Sequence, residues 1–294
     1  MSQVPYDEFA YFADNLAEWH LDAPIPPVSR ENVLVDGRTL SGLRWGEGDP
    51  DLVLLHGGAQ NAHTYDTTLL ALGRPALALD LPGHGHSDPG PYGLSAIVGH
   101  AEAVVGVLDH LPRRPRLLVG MSLGGLVATL VAEARPDAVS HLVLVDITPG
   151  VTPEKARHIT DFVNGPKTFT SFDELLERTI AFNPTRSVSS LRRGILHNAK
   201  QLPDGTWVWR HQQHAPATLA APAVTDLWEV LETLAMPLTL VRGRAAGSVV
   251  TDDDVAELWR RRPDADILDV PEAGHSVQGD APLRLAAVLA TRVG

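Results

Sequence analysis

Six short runs along the chain are apolar at consecutive positions rather than alternate ones: residues 51–56 (DLVLLH), 75–80 (PALALD), 116–121 (RLLVGM), 141–146 (HLVLVD), 237–242 (PLTLVR) and 266–270 (DILDV). Such runs read as strands covered on both faces, as in a parallel sheet. Helical periodicity lies between them. Leu94, Ile97, Val98, Ala101, Val104, Val105, Leu108 and Leu111 form one stripe of period 3.6. Residues 122–134 are short of turn formers after their first turn and predict a second helix. Thr251 suits an N-cap for a helix through Arg260, with Asp252 and Asp253 at the positive end of its dipole. Residues 283–293 predict the last helix. Strands alternating with helices give an α/β class with a mostly parallel sheet.

Two regions break that rhythm. Upstream, residues 32–35 and 39–45 predict a hairpin about Asp36-Gly37. Before it, Tyr6, Phe9, Phe12, Leu16 and Trp19 recur at helical spacing, so a helix is expected over 6–19, ended by the Pro-rich stretch 22–28. Its apolar face can be covered in cis or by a second copy, which leaves monomer and homodimer open. Between Ile147 and Ala235 no clear parallel strand appears, only helical patterns. These are Phe172, Leu175, Leu176, Thr179 and Ile180, then Val224, Leu227, Trp228, Leu231 and Leu234. The expected organisation is an N-terminal helix and connector over 1–31, a core built from 32–146 and 236–294, and a helical cap over 147–235.

Composition narrows the function classes. With 294 residues and 44% hydrophobic positions there is ample material for a buried core. The net charge is -12 and no Lys/Arg stretch could track a phosphate backbone, so no nucleic-acid partner is expected. The absence of cysteine excludes disulfides, zinc–thiolate sites and a thiol nucleophile. The first 20 residues lack a basic stretch followed by an apolar one, and no apolar run is long enough to span a bilayer. A cytoplasmic protein without a membrane partner is the expectation.

Three motifs carry chemistry. Gly120-Met121-Ser122-Leu123-Gly124 follows an apolar strand and precedes a helix. In that context a serine sits on a strained strand-to-helix turn, its hydroxyl projecting above the sheet, with glycines where side chains would strike backbone. The helix N-terminus behind it offers N–H groups to a developing oxyanion. His56-Gly57-Gly58-Ala59 ends the 51–56 strand and supplies a second donor, so the N–H groups of Gly58 and Leu123 are the predicted oxyanion hole. Ala273-Gly274-His275 follows the last strand, and His275 is the predicted general base that takes and returns the Ser122 proton.

These motifs, with LVLLHGG, ALDLPGHGHSD, LLVGMSLGG, HLVLVD and PEAGHS in that order, resemble the α/β-hydrolase superfamily. The resemblance covers most of 32–146 and 237–294. It implies the α/β-hydrolase fold: a mostly parallel eight-stranded sheet flanked by helices, with a cap inserted after strand six. It makes His84 and His86 loop residues rather than catalysts. It also exposes a departure. Most relatives carry the triad acid shortly after the strand that here is 237–242, where this chain has Gly247. Asp252, Asp253 and Asp254 come later and look like helix-capping charge. Asp146, at the end of 141–146, is the favoured acid, with Asp252–Asp254 or a Ser–His dyad left open. A serine at the elbow argues against the branches that use Asp there.

The expected activity is therefore a serine hydrolase that cleaves a small or medium apolar carboxylic ester or lactone through an acyl-enzyme, with no cofactor or metal. Carbon–carbon hydrolysis of a diketone by the same triad, and a non-catalytic small-molecule-binding module, are the alternatives, with a cofactor-free oxygenase more remote. Phe162, Phe169, Phe172, Phe182, Trp207, Trp209 and Trp228 either pack the cap or line an apolar pocket. Arg192 and Asn198 are candidate polar contacts there.

Overall fold

A strand apolar on both faces needs cover on both, and the fold supplies it. The computed structural model describes residues 6–90, 96–111, 117–184, 186–211 and 222–293. Leu94 of the expected helical stripe and Arg116 of the expected strand lie outside the described residues. In chain order the elements begin with α1 (Phe12–Glu18), β1 (Val28–Val35), β2 (Arg38–Trp45), β3 (Leu52–Leu55), α2 (Asp66–Leu72), β4 (Ala76–Leu79) and α3 (Ala96–His110). They continue with β5 (Leu117–Met121), α4 (Leu123–Ala134), β6 (His141–Val145), α5 (Arg157–Val163), β7 (Thr168–Phe169), α6 (Phe172–Phe182) and α7 (Val188–Asn198). The chain ends with β8 (Ala199–Gln201), β9 (Trp207–Trp209), α8 (Pro222–Thr233), β10 (Leu238–Gly243), α9 (Asp252–Arg261), β11 (Asp266–Val270), α10 (Val277–Asp280) and α11 (Pro282–Ala290).

Eight strands form one sheet in the order β1-β2-β4-β3-β5-β6-β10-β11. The pairs β1–β2 and β2–β4 are antiparallel, and every other pair is parallel. The β1–β2 turn is the expected one, with Asp36 and Gly37 both at positive φ (47° and 76°). Along β3, Val53 and Leu55 point into a core shared with α3, α4 and α8, whereas Leu52 and Leu54 join the opposite core with Phe12, Leu69 and Leu285. That division explains the consecutive apolar run. Each face of the strand has its own hydrophobic layer.

The expected N-terminal helix is shorter than its periodicity suggested. It spans Phe12–Glu18 rather than 6–19 because residues before it are drawn to distant partners. Tyr6 hydrogen-bonds His197 Nδ1 (2.9 Å), and Glu8 pairs with Arg30 and His63. The helix packs in cis. Phe12 is buried against Trp45 with ring centroids 5.0 Å apart, and Glu18 pairs with Arg193 of α7.

The excursion between β6 and β10 is not wholly helical. It carries α5–α8 and also a three-stranded antiparallel sheet, β7-β9-β8. Two or three residues are too short for a firm period-two signal, so the hydrophobic pattern predicted no strand here beyond the alternation of Trp207-Val208-Trp209. Trp207, Phe169, Phe172, Leu175 and Ile195 form a separate small core. Trp228 instead belongs to the main core through α8.

Phe12 fills a fully buried site between α1, β2 and α2. Truncation to alanine removes that apolar area and leaves a cavity, so Phe12→Ala is expected to lower unfolding free energy by about 3–5 kcal/mol. Urea unfolding followed by fluorescence measures it, and a change under about 1 kcal/mol would show that α1 is not an integral part of the core.

Candidate active site

The parallel strands end on one edge of the sheet, and the loops leaving that edge carry the chemistry-bearing residues. Ser122 follows β5 directly and starts α4. Its backbone sits at φ 50°, ψ −119°, outside the regions an L-residue prefers. Such a turn requires the chain to pass close to itself. A Cβ on Gly120 would lie 2.3 Å from the Gly124 carbonyl oxygen, and one on Gly124 would lie 2.3 Å from that of Leu55. Both glycines of the motif are thus sterically required. The turn is held by Ser122 N–H donating to Val145 O (3.3 Å) and by Gly125 N–H donating to Ser122 O (2.8 Å).

Asp146 follows β6, next to β5 in the sheet, also at positive φ (46°). Its carboxylate has no contact with solvent. Oδ2 accepts His275 Nδ1–H at 2.8 Å. His275 arrives on the loop after β11. Close backbone passage between the two neighbouring loops puts it there: a Cβ on Gly243 would lie 2.2 Å from Gly274 O. Asp280 Oδ2 accepts Gly274 N–H (3.0 Å) and fixes the loop from its other side. The opposite ring nitrogen of His275, Nε2, is buried and has no partner among the described residues. No hydrogen bond joins it to Ser122 among them. Such contacts often tighten only when substrate binds.

The other carboxylates considered for the acid are committed elsewhere. Asp254 closes a capping box with Thr251 and binds Lys155 Nζ through both oxygens at 2.8 Å. Asp252 pairs with Arg242 and Arg244, and Asp253 is exposed.

The loop after β3 has three successive N–H groups with different fates. That of Gly57 donates to Gln60 Oε1 (3.2 Å) and that of Ala59 to His84 Nε2 (3.2 Å). Gly58 N–H, between them, has no protein partner among the described residues. Leu123 N–H is likewise one of the unpaired donors in the first turn of α4. A Cβ on Gly57 would come 3.3 Å from Ser122 Cβ, so this loop runs beside the serine. His84 and Gln60 brace it, and Gln278 Nε2 reaches Gln60 Oε1 (3.3 Å) from α10. The sequence marked His84 only as a loop residue, and nothing in it marked Gln60 or Gln278. His56 is also structural. Its Nδ1 contacts Gly57 O and its Nε2 accepts Leu81 N–H, and burial lowers its pKa to about 3. His86 lies on the loop, its backbone N–H on Asp80 Oδ2.

The aromatic residues of the excursion mostly pack on one another. Phe172 meets Trp207 at 5.1 Å, and Trp209 meets Phe162 and Phe169, both at 5.7 Å. Arg192 is exposed and stacks over Phe172. Asn198 lines a polar cavity of about 110 Å³ with Gln60, His63, Arg186, Arg193 and Gln278, a wall that includes neither Ser122 nor His275.

His63, Asp66 and His197 bring potential metal ligands within 4.8 Å of one another. Their geometry does not suit an ion. The imidazoles stack face to face, 3.8 Å apart and 10° from parallel, so their in-plane lone pairs cannot converge on one point. His63 donates instead to Asp66 (2.9 Å) and Glu8 (3.1 Å). Burial alone would lower its pKa, but these two carboxylates outweigh it and raise it to about 9. A folded value above the ordinary 6.5 means that this stabilisation is complete below pH 6.5, declines as pH rises, and is lost above about 9. The destabilisation caused by His63→Gln is therefore expected to be larger at pH 6 than at pH 10. Urea midpoints of both proteins at both pH values test this, and an equal difference would mean that His63 is not a charged partner.

Comparison with known proteins agrees with this architecture. Residues 52–288 match the Alpha/beta hydrolase family. The chain is 42% identical over 290 residues to esterase Rv0045c of Mycobacterium tuberculosis, covering 96% of this chain and 94% of that one. It is 30% identical over 263 residues to lipase LipV of the same organism, covering 85% and 96%. A crystal structure of Rv0045c superposes with a TM-score of 0.83 at 41% identity, covering 98% of both chains. With the family match spanning most of its length, and the sheet order and strand-to-helix turn in place, the chain belongs to the α/β-hydrolase family.

Proposed function

We propose that this carboxylic ester hydrolase works through an acyl-enzyme on Ser122, with His275 as general base and Asp146 as the acid that orients it. The observation that carries the reading is the hydrogen bond from His275 Nδ1 to a wholly buried Asp146 carboxylate, which leaves Nε2 as the basic face of the ring. Ser122 Oγ attacks the carbonyl carbon and passes its proton to His275 Nε2. The N–H groups of Gly58 and Leu123 hold the developing oxyanion. His275 then protonates the leaving alcohol, and water, activated by the same nitrogen, releases the acid.

The substrate class is a small or medium apolar ester or lactone. The excursion over 147–235 acts as a cap above the serine. Two contacts support that placement. The Asn61 side chain donates to His197 O (2.9 Å), and the His211 ring, just beyond β9, lies 6.2 Å from the His84 ring that braces the Gly58 loop.

Fluorophosphonate labelling with peptide mass spectrometry, beside turnover of short p-nitrophenyl esters, tests the mechanism. A single adduct on Ser122 is expected, absent from Ser122→Ala, with turnover in that variant lower by about four to six orders of magnitude. Folded wild-type protein that takes no adduct would overturn it, and tight ligand binding without turnover would then favour a binding module.

A further inference from the structure

A buried carboxylate needs hydrogen-bond donors on both oxygens, and its partners decide which way it faces. Asp146 has four. Oδ2 accepts from His275 Nδ1 (2.8 Å) and Val249 N–H (3.1 Å). Oδ1 accepts from Gly243 N–H (2.9 Å) and from the Ser248 hydroxyl (2.7 Å). Three of these four donors belong to β10 and the loop that leaves it. Ser248 is the one side chain among those three.

The hydroxyl is itself directed. Ser248 Oγ accepts Val250 N–H (3.3 Å), which turns its one proton towards the carboxylate rather than towards the Val250 carbonyl at 3.5 Å. That carbonyl is already engaged by Arg242 Nε (2.9 Å), and Arg242 is buried and ion-paired with Asp252. A connected path therefore runs from Arg242 through Val250 and Ser248 to Asp146 and His275. Asp146 also sits at a positive φ, so its own backbone is a poor anchor for its side chain.

We propose that Ser248 is a positioning residue for hydrolysis: its hydroxyl holds the Asp146 carboxylate in the rotamer that keeps His275 oriented. This rests on the assignment of Asp146 and His275 to the triad. Ser248 does not touch the reacting atoms and acts through Asp146. Without its hydroxyl, Oδ1 keeps a single protein donor, the Gly243 N–H, and the carboxylate can turn away from His275 Nδ1. The imidazolium formed during acyl transfer then loses part of its stabilisation. Substrate binding is not involved, so kcat should carry the effect. The pH profile should also respond, since an imidazolium whose counter-ion has turned away gives up its proton more readily. Among the described residues, the charged groups facing the pair besides each other are Asp280 of α10 and Arg186, which lies near Asp280 (3.8 Å).

The test is ester kinetics against pH on wild type, Ser248→Ala, Ser248→Thr and Asp146→Asn, with thermal unfolding of each. Ser248→Ala is expected to lower kcat about ten- to a hundredfold with KM within about twofold, the range for losing one hydrogen bond to a charged group. The acid limb of its kcat/KM profile is expected to move to lower pH. Ser248→Thr keeps the hydroxyl and is expected to restore both kcat and the profile. A fall in thermal midpoint with an unmoved pH limb and no rescue by threonine would mean a merely structural role and would overturn the proposal. Full activity in Ser248→Ala beside a crippled Asp146→Asn would overturn the proposal alone. Full activity in both would overturn the triad reading and the proposal together.

Discussion

The Asp146 carboxylate is the constraint around which the C-terminal edge of this sheet is organised. An ionised group with no solvent contact is costly unless hydrogen bonds replace its hydration. Here they come from β10, from the loop after it and from His275, so three separate stretches of chain must meet at one point. The glycines at 243 and 274 follow from that demand, because their backbones pass where no Cβ fits. So does the order of the strands. β6 lies between β5 and β10, which puts the carboxylate between the serine turn on one side and its donors on the other. Fixing the carboxylate fixes the histidine tautomer, and the tautomer sets which nitrogen is left to act as a base.

The loop after β3, proposed to hold the oxyanion, is governed by the same logic in reverse. Its neighbours remove donors instead of supplying them. Gln60 and His84 accept the N–H groups on either side of Gly58, so the loop is held rigid by flanking bonds while one donor stays open. A donor that must meet a transient negative charge is most effective when its direction is set in advance and no protein acceptor competes for it. His84 can serve as the acceptor at Ala59 because its other ring nitrogen contacts Pro82 O (3.1 Å), which fixes its tautomer too. In the sequence, His84 and His275 are both histidines beside glycine. Only their hydrogen-bond partners separate the brace from the proposed base.

The contrast shows where sequence reading was informative. The central strands β3, β4, β5, β6 and β10 were legible because each is apolar on both faces, a pattern that a short solvent-facing strand does not give. The hairpin was legible from Asp36-Gly37, and the Thr251 cap from the acidic residues Asp252 and Asp253 that follow it. The serine turn was legible because two glycines and a serine satisfy a steric requirement that few other residues meet. What escaped was whatever depends on contacts between remote segments. The two- and three-residue strands β7–β9 are held by pairing and by their small aromatic core, not by propensity. The α7 helix carries arginines, serines and a histidine whose role appears only against α1 and α2. Ser248 resembles any loop serine until the carboxylate it faces is placed.

The N-terminal segment illustrates how far such remote contacts can override local pattern. Tyr6 to Trp19 has helical periodicity throughout, yet only Phe12–Glu18 is helical. The gain from extending the helix by one more turn is a few tenths of a kcal/mol per residue at best. The alternative is to place Glu8 against Arg30 and a charged, buried His63. Those partners hold the Glu8 carboxyl down at about 2 despite the opposing effect of burial. Hydrogen bonds to charged groups are worth about 1.5–3 kcal/mol each, so the unwound turn is favoured. The result is a strap in which Tyr6 and Glu18 grip α7 while Glu8 and Phe12 grip the core. Because α7 also meets the loop after β3 through Asn61, the strap fixes the excursion against the loop that carries Gly58. Sequence far from the serine thereby contributes to the setting of the loop that runs beside it.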